Sequence, residues 1–131
     1  METNFEYEFR FTQDEVNGFA EVTGDKNPIH LDEEYAAKTM FKKRIIHGFL
    51  AGSVFSKVFG TMFPGEGTIY LKQEMKFVAP MYTENKYNAV FNILDVNTEK
   101  GKAKIKTTIF DDKGKETIIG EAVVKNDKYK E

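Results

Sequence analysis

The segment from Gly48 to Phe63 constrains this chain more than any other. Phe49, Leu50, Ala51, Val54, Phe55, Val58, Phe59, Met62 and Phe63 crowd together there, interrupted mainly by Gly52, Ser53, Ser56 and Lys57. A helix that is apolar on almost every side must be surrounded by the rest of the protein rather than laid on its surface. It is too short, and too polar at its ends, for the roughly 20 residues a membrane crossing needs.

The material to surround it is present. Phe5, Tyr7, Phe9 and Phe11 alternate with Glu6, Glu8 and Arg10, the period of a strand with one buried face. After the Pro64-Gly65-Glu66-Gly67 turn, Ile69, Leu71, Gln73, Met75 and Phe77 alternate with polar partners, as do Tyr87 to Ile93 and Ala103 to Ile109, and Ile118 to Lys125 reads as one more strand. The links Asn97 to Gly101 and Asp111 to Gly114 are short and rich in turn residues, which implies antiparallel neighbours. Between the first strand and the apolar helix, Thr12 with Glu15 forms a capping-box signature for a helix over 13–23 that stops at Gly24. A second short helix is expected over 32–38, then an exposed basic loop. The order predicts an α+β fold: a single domain over 1–131 with an antiparallel β-sheet wrapped around a central buried α-helix, and a frayed polar tail at 126–131.

Charge and composition exclude several functions. Nineteen Lys and Arg against 21 Asp and Glu, interspersed, give a net charge of -2 and no concentrated basic face for nucleic acid. With no cysteine, disulfides, thiol nucleophiles and Cys-based metal sites are out, and a reducing, cytoplasmic setting is expected. Met1 to Glu6 is acidic and lacks the layout of a signal peptide.

The polar residues of interest lie in Asp25-Lys26-Asn27-Pro28-Ile29-His30. Two readings stand. Asp25 and His30 converge across the turn and hold a water between carboxylate and imidazole. Alternatively, Asp25 closes an Asx turn, Asn27 caps and His30 is a satisfied loop histidine, the reading that pattern alone favours. His47 is the only other histidine, and two histidines without suitably arrayed carboxylates argue against zinc. Ser53 and Ser56 lack a nucleophile elbow, and Gly65-x-Gly67 precedes a strand instead of opening a helix. Gln73 is read as a sheet-edge residue.

Asp25-x-Asn27-Pro28-Ile29-His30 resembles the hydratase motif of the MaoC-like, (R)-specific enoyl-CoA hydratase family. Ile45-Ile46-His47-Gly48 at the head of the apolar helix, Gly67-Thr68-Ile69-Tyr70-Leu71, Phe77-x-x-Pro80 and Gly120-Glu121-Ala122-Val123-Val124 are similar to further segments of that family, in order, over roughly 8–125. The resemblance implies a hotdog fold and reversible addition of water to a trans-2-enoyl-CoA. It also implies Asp25 and His30 as the catalytic pair, Asn27 as their support, Gly48 as an N–H donor to the thioester carbonyl, and Ser56 in the pocket nearby. It implies an acyl-CoA substrate and a homodimer with the site near the subunit interface; no metal or other cofactor is expected. A hotdog thioesterase would use a carboxylate on or near the central helix, and none lies between Arg44 and Pro64. A non-catalytic acyl-thioester binding subunit remains the alternative from another class.

Overall fold

The computed structural model describes residues 1–131. Strand β1 (Asn4–Phe9) leads into helix α1 (Gln13–Thr23), the short helices α2 (Pro28–Leu31) and α3 (Glu33–Ala37), and the long helix α4 (Gly48–Thr61). Four strands follow, β2 (Ile69–Phe77), β3 (Tyr87–Asn97), β4 (Lys102–Asp111) and β5 (Glu116–Lys125). They form one antiparallel sheet in the order β1-β3-β4-β5-β2, so β1 and β2 are its edges.

Helix α1 begins where its capping box predicts. Thr12 Oγ1 accepts from the Glu15 N–H at 3.2 Å, and the Thr12 N–H donates to Glu15 Oε1 at 2.9 Å. Gly24 ends the helix at φ 79°, donating to the Ala20 carbonyl at 2.8 Å. In the following turn Pro28 starts a helix. It takes the first position of α2, where its missing N–H has no partner to lose. Asn27 caps that helix, its Oδ1 accepting from the Ile29 N–H at 3.2 Å.

The core lies between α4 and the concave face of the sheet. Phe55 and Phe59 of α4 meet Phe91 of β3 edge to face, at 5.7 Å and 5.3 Å between ring centroids, and all three are buried. The helix is not surrounded as its composition predicts. Leu50, Ala51, Val54, Phe55, Val58 and Phe59 face the sheet, while Phe49, Ser53, Ser56, Lys57 and Gly60 are exposed. Five strands cover only half of the helix, and the other flank stays open in a single copy.

Strand β2 differs from its alternation as well. Tyr70 pairs with Val124 and Lys72 with Val123, leaving Leu71 as a bulged residue. The extra residue inverts the facing across the bulge, so Tyr70 packs on Phe59 while Ile69 and Leu71 are exposed. Gln73 lies on this edge strand, donating to Thr107 Oγ1 at 2.9 Å and accepting from the Tyr70 hydroxyl. The end of the chain is ordered, correcting the expected fraying at 126–131. A short 3-10 turn, Asp127–Tyr129, buries Tyr129, and Asn126 Nδ2 donates to the Glu66 carbonyl and Thr68 Oγ1 at 3.1 Å and 3.0 Å. These long-range bonds tie a polar segment to the loop after α4.

Candidate active site

Helix α2 exists to hold His30. Asn27 fixes its start, Gln13 Nε2 of α1 donates to the His30 carbonyl at 2.8 Å, and the ring is largely buried. His30 Nδ1 stands 2.8 Å from the Ile45 carbonyl oxygen. A carbonyl only accepts, so Nδ1 carries the hydrogen and Nε2 is left with a free lone pair. Burial pushes the His30 imidazole below its ordinary value of 6.5, outweighing the Ile45 hydrogen bond that acts the other way. The ring is therefore neutral at pH 7, with Nε2 as an acceptor.

Asp25 lies in the exposed turn just after Gly24. A carboxylate oxygen of Asp25 and one ring nitrogen each from His30 and His47 lie within 4.8 Å of one another. A water donating to two acceptors at ~2.8 Å each needs them about 4.4 Å apart, so one water spans such a pair. Asp25 and His30 thus come close across the turn, as the convergence reading requires, while Asn27 caps and His30 Nδ1 is satisfied by Ile45, as the turn reading requires.

His47 is the member of this cluster that sequence reasoning set aside. Its ring stacks on His30 with centroids 3.8 Å apart, and its Nε2 reaches the Asp25 carbonyl oxygen at 2.9 Å. The two histidines do have a carboxylate beside them, contrary to the sequence reading. His47 still offers a metal little, since Nε2 is engaged and Nδ1 is buried without access or partner.

His30 and Gly48 line one apolar cavity of about 500 Å³, with Met40, Phe41, Phe49, Phe77 and Met81 among its walls. That size is ordinary for a small-molecule site. Asp25 is outside the lining and borders His30 from the turn. Gly48 opens α4, whose N-cap makes no side-chain hydrogen bond and whose first turn has no acidic residue. The first bond into the helix is Ala51 N–H to the His47 carbonyl at 3.1 Å, so the earlier N–H groups and the positive end of the dipole are uncommitted. A Cβ at 48 would stand 2.6 Å from Phe77 Cε1, so a larger residue there would push that half-exposed ring of the cavity wall aside.

Ser56 does not join this group. Eight positions along α4 from Gly48, it is about 12 Å farther down the axis and points out from the open flank. The basic loop lines a separate, polar cleft that adjoins the apolar one at Phe41. There Arg44 is already engaged with Glu33 at 3.4 Å and the Leu31 carbonyl at 3.3 Å, leaving Lys42 and Lys43 as its free cations.

The family model described as MaoC like domain matches residues 1–115. The (R)-specific enoyl-CoA hydratase of Aeromonas caviae is 40% identical over 116 residues, covering 88% of this chain and 87% of the relative. The 3-hydroxybutyryl-CoA dehydratase of Methylorubrum extorquens is 39% identical over 118 residues, covering 89% and 74%. Among solved structures, the (R)-hydratase from A. caviae involved in PHA biosynthesis matches with a TM-score of 0.92 at 37% identity, over 96% of this chain and 97% of that one. An (R)-hydratase from Pseudomonas aeruginosa in unliganded form matches at 0.90 and 36%, over 96% and 82%. With a family model spanning most of its length and relatives of this identity along nearly all of it, the chain belongs to the MaoC-like domain family.

Proposed function

We propose that this protein is an (R)-specific enoyl-CoA hydratase, adding water to a trans-2-enoyl-CoA to give the (R)-3-hydroxyacyl-CoA and running in reverse as a dehydratase. The observation that carries this reading is the closeness of two acceptors, Asp25 and His30, with His30 lining the same apolar cavity as the uncapped helix N-terminus at Gly48. The Asp25 carboxylate and His30 Nε2 each accept one hydrogen of a single water, which leaves an oxygen lone pair for C3. As the C3–O bond forms, Asp25 takes a proton from the water, and a proton is returned to C2 on the same face from one of the two residues, so the pair ends as it began. The electrons displaced from the double bond develop as enolate charge on the thioester oxygen. The Gly48 N–H and the α4 dipole are suited to meet that charge, and a donor of this kind is typically worth ~10²–10³-fold.

The open flank of α4 supports a homodimer as the working unit. Phe49, Ile69, Leu71 and Phe77 are 70%, 55%, 47% and 48% exposed, an apolar cost that a second copy removes. A mass measurement by light scattering at two subunits agrees with this; a monomer contradicts it. In such a dimer the second copy covers the flank that carries Ser56. On this reading Lys42 and Lys43, which line the adjoining cleft, are the cations available to the phosphates of CoA.

The test is incubation with trans-2-enoyl-CoAs from short to medium chain, following loss of the conjugated double bond and the stereochemistry of the product. Hydration to the (R)-alcohol is the expected result. Release of free CoA, or unchanged substrate at every chain length, overturns the reading.

A further inference from the structure

His47 is a buried polar side chain that the reaction outlined above does not use. It is 2% exposed, one ring face lies on His30, and Phe19 of α1 packs beside it at 4.8 Å between centroids. As the N-cap residue of α4 it caps nothing with its side chain. Its single hydrogen bond goes to the Asp25 carbonyl, so Nε2 carries the hydrogen and Nδ1 is left buried without a partner. A buried polar atom left unsatisfied is uncommon and calls for a reason. Ser or Asp at this position would cap the helix and leave no such atom.

The reason lies in what Asp25 otherwise lacks. Its carboxylate is exposed, and its main chain is fixed locally only by a 3.2 Å bond from its N–H to Thr23 Oγ1, two residues back. The bond from His47 is the one that ties this turn to the head of α4, where Gly48 lies. We infer that His47 is a positioning residue for hydration: its Nε2–H holds the Asp25 main chain at the distance from His30 and Gly48 at which one water is shared. This inference rests on the hydratase reading. Displacing a reacting group by ~1 Å costs on the order of 10²-fold in rate, so a single main-chain bond suffices for a large effect.

Three variants of the full chain separate the bond from the ring. His47→Phe keeps an aromatic ring between His30 and Phe19 and removes the donor. His47→Gln keeps an N–H near the position of Nε2 and removes the ring, and His47→Asn presents its N–H too short of Asp25. With trans-2-butenoyl-CoA, kcat is expected to fall ~10–100-fold in the Phe and Asn variants while KM stays within about threefold, because His47 does not touch substrate. Gln is expected to restore kcat to within about fivefold of the wild type. Wild-type kcat in His47→Phe, a change confined to KM, or a Gln variant as slow as Asn with an unchanged melting temperature overturns the inference. If His47→Phe does not fold, the Gln and Asn pair decides alone, and equal rates overturn it. An inactive wild type removes the hydratase reading and this inference with it, whereas an active wild type with indifferent variants removes the inference only.

Discussion

Asp25→Asn separates the chemistry of the site from its architecture. The Asp25 side chain is exposed, and the two bonds at this residue run through its main chain, to Thr23 Oγ1 at 3.2 Å and from His47 Nε2 at 2.9 Å. Asparagine keeps the shape and both of those bonds, so folding stability should change by no more than about 0.5 kcal/mol. The rate should not survive as well. An amide can orient a water but cannot take its proton, and the loss of a general base is worth ~10²–10⁴-fold, or ~2.7–5.4 kcal/mol of transition-state stabilisation. The assay is the disappearance of enoyl absorbance at substrate concentrations below KM, with a thermal melt of the same sample. Activity above about one-tenth of the wild type would refute the assignment of Asp25 as proton acceptor. A melting temperature lowered by more than ~3 °C would refute the claim that the side chain carries no structural load.

Four further outcomes follow from the same structure. Because burial holds the His30 imidazole below 6.5, kcat/KM should fall with acid through a midpoint under pH 6.5, as the free lone pair on Nε2 is lost; a midpoint at or above 6.5 contradicts the assignment. By linkage, the unfolded chain takes up that proton first, so His30 lowers stability as pH drops from 6.5 towards its folded value, a trend His30→Gln should weaken in acid melts. Gly120→Ala should cost about 3 kcal/mol or more, since its Cβ would stand 2.2 Å from the Glu74 carbonyl oxygen and force β5 from β2; a denaturant midpoint near the wild type's would show that the edge strand yields. Removing residues 126–131 should also cost about 3 kcal/mol or more, from Tyr129 burial and the Asn126 bonds to Glu66 and Thr68, as read by the shift in thermal midpoint.

Features written in local pattern were legible before the fold was seen. Helix α1 follows from Thr12, Glu15 and Gly24, and β3 and β4 face inward as their alternation requires. Patterns of period two do not register an inserted residue, so the bulge at Leu71 inverted the reading of Ile69 and Leu71. Composition alone made α4 look enclosed, because a sequence does not state how many copies supply the enclosure. The tail was misread since Asn126 finds its partners some sixty residues away in Glu66 and Thr68. Around the site, Asp25 and His30 stood out as neighbours in one short turn. His47, 17 residues beyond His30, stood out only as the polar member of a helix start, and the missing N-cap preference at that position was the available signal.

His30 is aimed by the Ile45 carbonyl, and Asp25 is held through its own carbonyl by His47. Neither bond involves Met40, Phe41, Phe49, Phe77 or Met81, the side chains that shape the cavity. On the hydratase reading, wall residues such as Met40 and Met81 can therefore be exchanged for longer, branched or bulkier acyl groups while the water-handling pair keeps its aim, whereas Ile45 and Phe77 belong to both, the one through its carbonyl to His30 and the other against Gly48. A lineage carrying this scaffold can diversify its diet without having to reinvent its chemistry.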